Sequence, residues 1–159
     1  MLLDGFNHVA VMTGDTDGFV DFYTGVFGAE VLARPVDNEE MRLTLLKIGP
    51  RCEINVFEHR DSTEHERQTP MFGRGRLDHF GLQAATLEAF DTIRDDLMAR
   101  GCTDGFVTDF GMFFSLFFVG PEGLEGEVLV ENPDAVPGAS NPPGTPALRY
   151  HAPGTEAER

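Results

Sequence analysis

Along its hydrophobic and polar positions the chain switches twice from a two-residue to a helical period and back. Residues 8–11, HVAV, alternate as a strand does, and Phe19, Phe22, Val26 and Phe27 then recur at i, i+3, i+7 and i+8, one face of a helix. Asp15 or Thr16 can cap that helix, and Gly28 stops it. The pattern returns with HFGL at 79–82 and a stripe of Leu87, Phe90, Ile93, Leu97 and Met98, with Thr86 as N-cap and Gly101 closing the helix. Both stripes read as core. Three β-like runs follow each helix: AEVLARP, MRLTLLKIG and CEINVFEH in the first half, GFVTDFG, FFSLFFVG and GEVLVEN in the second. Each half therefore predicts β-α-β-β-β.

The two halves match without a gap. His8 pairs with His79, Asp17 with Glu88, Phe19 with Phe90, Phe22 with Ile93 and Phe27 with Met98, all at one offset (79 − 8 = 71). Matches at strand and helix positions together point to an internal duplication. The expected organisation is a first module at 1–58, a polar, Gly-containing linker at 59–76, a second module at 77–132 and a Pro/Gly-rich tail at 133–159. One helix covers only one face of a four-stranded unit, so a second copy is needed to bury what is left. The predicted fold class is α+β, with paired βαβββ modules forming a curved, incompletely closed eight-stranded mixed sheet around a cleft.

Composition narrows the partners. At 159 residues, 41% of them hydrophobic, the chain can bury a sizeable core. Twelve Lys and Arg stand against 27 Asp and Glu, a net charge of −15, which repels nucleic acid and anionic membranes. The only cysteines, Cys52 and Cys102, form no CxxC pair and suggest no disulfide-stapled scaffold. No secretory leader and no apolar run of spanning length is visible, so a cytoplasmic protein is expected.

The duplicated histidines carry the candidate chemistry. Alternation puts His8 on a face with Ala10, and His79 on a face with Gly81, leaving room beside each imidazole for an ion or ligand. Either histidine alone reads as a hydrogen-bonded structural residue. Two at matched positions, with carboxylates on the last strand of each half, read as a metal site. In GPEGLEGEVLVEN, Glu122 sits in a turn, Glu125 and Glu127 share a strand face, and Glu131 lies near the strand end; Glu127 is the candidate ligand. In GPRCEINVFEH, Glu53 and Asn55 share a face and either can point into the cleft. Imidazole and carboxylate suit Zn, Fe, Ni, Co or Mn, and two histidines with one carboxylate leave coordination positions open.

The runs NHVAV, FVDFYTGVFGAEV, LDHFGLQ, FDTIRDDLMARG and FFVGPEGLEGEVLVE, spread over residues 4–132, resemble the vicinal oxygen chelate superfamily of glyoxalases, bleomycin-resistance proteins and extradiol dioxygenases. The resemblance implies a divalent metal on His8, His79 and Glu127, with Asn55 or Glu53 as fourth ligand, and a small oxygen-bearing substrate. It also implies a homodimer. The expected activity is lyase, isomerase or epimerase chemistry through a metal-stabilised enolate, with Glu53 as general base and Glu127 in the catalytic set. The alternatives are an Fe(II) or Mn extradiol-type dioxygenase and a drug-sequestering protein without turnover. The Phe-rich second half suits an aromatic substrate, although core filling explains at least half of those rings.

Overall fold

The computed structural model describes residue 2, residues 5–66 and residues 77–136. The first module runs β1 (His8–Met12), α1 (Thr16–Phe27), β2 (Glu30–Asp37), β3 (Met41–Gly49) and β4 (Cys52–His59). The second repeats it as β5 (Gly81–Gln83), α2 (Leu87–Ala99), β6 (Val107–Asp109), β7 (Phe113–Val119) and β8 (Glu125–Glu131). The fold is α+β, its eight strands lying in two four-stranded mixed sheets ordered β1-β4-β3-β2 and β5-β8-β7-β6. Two compact units result: the described residues up to 66 with the turn Pro121–Gly123, and those from 77 onward without that turn. The expected linker and tail fall mostly on residues 67–76 and 137–159, which lie outside the described residues.

The helix ends follow the expected chemistry. The Asp15 carboxylate accepts the Gly18 N–H at 2.9 Å, and Gly28 closes α1 at φ 65°. Thr86 caps α2 through Ala89 N–H at 3.1 Å, and Gly101 turns left-handed at φ 69° just beyond it. In the first unit α1 supplies Phe19, Phe22, Tyr23 and Val26 to a core shared with Leu46, Ile54 and Val56. Tyr23, absent from the sequence-derived stripe, is fully buried between Phe19 and Phe27, and burial pushes its hydroxyl pKa well up. In the second unit Phe90 and Leu97 pack with Leu116, Phe118, Val128 and Val130. Met98, expected in that core, is 43% exposed. Its sulfur lies over Gly105, where an added Cβ would come within 2.4 Å of Sδ.

Burial alternates along β1, β8 and the C-terminal half of β7, so each sheet has one face under its helix and one open face, while β2 is exposed at every position but Val36. On β1 the residues His8, Ala10 and Met12 are exposed, while Val9 and Val11 turn toward the helix side. On β7, Phe114, Leu116 and Phe118 are buried, whereas Phe117 and Val119 remain exposed. The Phe-rich run is thus divided between core and open face.

Candidate functional site

His79 precedes the second module's first strand, which is shorter than HFGL predicted, spanning only Gly81–Gln83. Pairing with β8 nevertheless extends to its neighbour Phe80, because Glu127 N–H donates to Phe80 O at 3.0 Å. This pairing and the Gly81↔Glu127 register bring two expected site residues together: His79 Nε2 lies 3.5 Å from Glu127 Oε2. Both side chains are held from behind. His79 Nδ1 is 2.8 Å from Asp78 Oδ1, which makes that nitrogen the N–H donor and turns Nε2 toward Glu127. Ser115, fully buried on β7, donates its hydroxyl to Glu127 Oε1, so Oε2 is the oxygen that faces the imidazole. The Phe117 ring meets His79 edge to face, with centroids 5.6 Å apart, and stands cross-strand from Glu127.

The separation has a chemical meaning. Two ligands about 2.1 Å from one tetrahedral ion stand about 3.4 Å apart. His79 Nε2 and Glu127 Oε2, at 3.5 Å, have that spacing. Their supporting contacts are those that fix ligand orientation around metals: a carboxylate behind the imidazole and a hydroxyl behind the carboxylate. The pair therefore has the donor chemistry and spacing of two ligands on one divalent cation. The space beside His79 is smaller than alternation suggested, since a Cβ on Gly81 would meet Leu129 Cδ1 at 2.6 Å.

The first unit repeats the arrangement in part. His8 Nδ1 is 2.9 Å from Asn7 Oδ1, again leaving Nε2 available. His8 stands in register with Glu53, and Ala10 with Asn55. Ala10↔Asn55 is the counterpart of Gly81↔Glu127, so Asn55, rather than Glu53, occupies the position of the second module's carboxylate. The Asn55 Oδ1 atom is buried and has no hydrogen-bond partner. Among the described residues no group of three or more His, Cys, Asp and Glu side chains is gathered closely enough to hold a metal ion.

The orienting groups were readable but not read from the sequence. Asn7 and Asp78 obey the same offset as the histidines they precede (78 − 7 = 71), and Ser115 is the one hydroxyl inside FFSLFFV. The other carboxylates are placed differently. Glu122, the one non-glycine at positive φ (53°) among the described residues, accepts from Thr13 Oγ1 at 2.5 Å and Gly14 N–H at 2.9 Å. It fastens its turn to the β1–α1 connection. Glu131 is exposed at the end of β8. Cys52 and Cys102 are both free thiols.

Comparison with known proteins agrees with this architecture. The family model described as Glyoxalase/Bleomycin resistance protein/Dioxygenase superfamily matches residues 5–128, and the chain belongs to that superfamily. A glyoxylase/bleomycin resistance protein/dioxygenase domain from Frankia sp. EAN1pec superposes with a TM-score of 0.66 at 19% identity, over 83% of this chain and 95% of that one. Lactoylglutathione lyase from Agrobacterium tumefaciens gives 0.58 at 20% identity, over 82% and 96%. A mutant fosfomycin resistance protein from Listeria monocytogenes, complexed with Mn(II) and 1S,2S-dihydroxypropylphosphonic acid, gives 0.58 at 18%, over 80% and 92%. At these identities the likeness is one of fold. No curated protein matches the sequence significantly.

Proposed function

We propose that the protein is a metal-dependent enzyme of this superfamily that moves a proton next to a carbonyl of a small oxygen-bearing substrate, in lyase, isomerase or epimerase chemistry. The observation that carries the reading is the His79–Glu127 pair, 3.5 Å apart, with every other polar ring or carboxylate atom of the pair already engaged. His79 and Glu127 hold the cation in this proposal. The Mn(II) complex of the fosfomycin resistance protein supports a divalent ion at the level of the fold. When bound, the metal supplies a fixed positive charge that polarises the substrate oxygens. Glu53, in register with His8 on the open face of β4, takes the proton from the substrate carbon and returns it to the neighbouring position. The protein acts in the cytoplasm as a homodimer in this reading. No helix among the described residues is long and apolar enough to cross a membrane.

A second reading has one observation of its own. An amide at the position matching Glu127 gives the site a single carboxylate and leaves coordination positions open, the donor set of Fe(II) oxygenases. Elemental analysis of the purified protein and of His79→Ala tests the common core of both readings. Near-stoichiometric metal in the wild type and its loss in the variant are expected, and retention of metal by folded His79→Ala would refute the assignment. Oxygen uptake with substrate then separates the oxygenase from the isomerase.

A further inference from the structure

Glu122 stands at the middle of Pro121–Gly123, the three residues by which the chain, after building β5 to β7, re-enters the first unit before leaving again for β8. Its backbone is left-handed, at φ 53° and ψ 25°, a conformation unfavourable for any residue that carries a Cβ. The turn sequence does not demand it. Gly49, Pro50 and Arg51 match Gly120, Pro121 and Glu122 at the duplication offset (120 − 49 = 71), yet Glu122 is the one non-glycine residue at positive φ among the described residues. Strain confined to one copy of a repeated turn points to something that this side chain does.

The carboxylate joins three segments. Its Oε2 accepts the Thr13 hydroxyl at 2.5 Å, and its Oε1 accepts Gly14 N–H at 2.9 Å. Thr13 is 1% exposed, and its Oγ1 in turn accepts the N–H of Asp15, the N-cap of α1, at 3.1 Å. His65, in the one-turn helix Glu64–Glu66, lies across the same place: its Nε2 is 3.8 Å from Glu122 Oε1, and a Cβ on Gly14 would come within 2.5 Å of it. Glu64–Glu66 is the last described segment before the chain passes to the second unit. The carboxylate therefore stands both where the chain leaves the first unit and where it returns. We propose that Glu122 is a clasp that makes the two units unfold together. If β7 and β8 separate, the turn no longer presents its carboxylate and the buried Thr13 hydroxyl loses its acceptor. If the β1–α1 connection loosens, the turn keeps its strain and loses the bonds that offset it. Each unit is thus weakened when the other opens, which is the condition for a shared transition. The clasp works without a metal, so its test stands apart from that of the His79–Glu127 reading.

Native-state hydrogen exchange of the full chain in rising urea, read amide by amide in NMR spectra, tests the coupling. In the wild type the amides of buried Leu46 and Val56 in the first unit, and of Leu116 and Val128 in the second, should converge on one opening transition. Glu122→Gly is the sharpest variant, because it removes the carboxylate and the backbone strain at once: a turn that mattered only for its conformation would hold as well or better. The clasp predicts instead that the Gly14 amide exchanges at least about tenfold faster, as suits loss of a bond to a charged acceptor, and that the two sets of amides open at different urea concentrations. Glu122→Gln keeps a neutral acceptor and should speed Gly14 exchange by about threefold or more, which preserves the test if the glycine variant fails to fold. Adding Thr13→Val to Glu122→Gly should raise Gly14 exchange by no more than about twofold, since the partners act as one unit. Unchanged Gly14 exchange in the Glu122 variants, separate openings already in the wild type, or a shared transition that survives loss of the carboxylate would each overturn the proposal.

Discussion

Removing one oxygen atom, in Ser115→Ala, tests how the site is held. The Ser115 hydroxyl is fully buried and donates to Glu127 Oε1, on a carboxylate whose side chain is only 12% exposed. Alanine fits the same space on β7, so the strand keeps its Thr108 and Leu129 partners and only the hydrogen bond is lost. A bond to a charged acceptor contributes about 1.5–3 kcal/mol, and a carboxylate left without it in a poorly solvated place gives up about that much. In the metal-free protein the loss should appear as about 1–3 kcal/mol in urea unfolding. With metal the second effect is larger in meaning: Glu127 is free to rotate Oε2 away from His79 Nε2, and loss of such an orienting partner lowers metal affinity by about 10–100-fold. Competition against a chromophoric chelator measures that affinity, and the visible spectrum of the Co(II)-substituted protein reports the ligand geometry. Ser115→Thr restores the hydroxyl and should recover most of the affinity. An alanine variant that is folded and less stable but binds metal within about twofold of wild type would refute the claim that the hydroxyl orients a ligand.

Asp91 has one oxygen buried without a partner, and burial is the leading cause raising its pKa. A raised folded pKa adds stability below the unfolded carboxylate pKa of about 3.9 and loses it as pH rises through the folded value, so the charged form is a burden at neutral pH. Asp91→Asn should therefore raise the melting temperature at pH 7 and lose that advantage toward pH 3; an equal gain at both pH values would contradict the cause. Gly126 is buried on β8, and an added Cβ would lie 2.6 Å from Cζ of Phe118, whose ring is 2% exposed and cannot swing aside. Gly126→Ala should cost about 1–3 kcal/mol in chemical denaturation, and Phe118→Leu should recover part of it; additive effects of the two changes would show that the clash is not between them.

Local periodicity and capping were enough to read the duplicated β-α-β-β-β order, the helix ends and the matched pair of histidines from the chain. Asp15, Thr86 and Gly28 do what their neighbours' backbone groups require wherever the elements pack. Pairing register is a different matter, since nothing local to CEINVFEH says whether Glu53 or Asn55 matches Glu127. Only the parallel ladder of β1 on β4, set beside that of β5 on β8, aligned Asn55 with the carboxylate. The short β5, the exposure of Met98 and the covering of Gly81 by Leu129 likewise depend on which side chains arrive from distant strands. Ser115 shows the division most clearly: one hydroxyl in FFSLFFV is visible in the chain, but its purpose appears only once β7 and β8 lie antiparallel and a diagonal neighbour two residues along becomes Glu127.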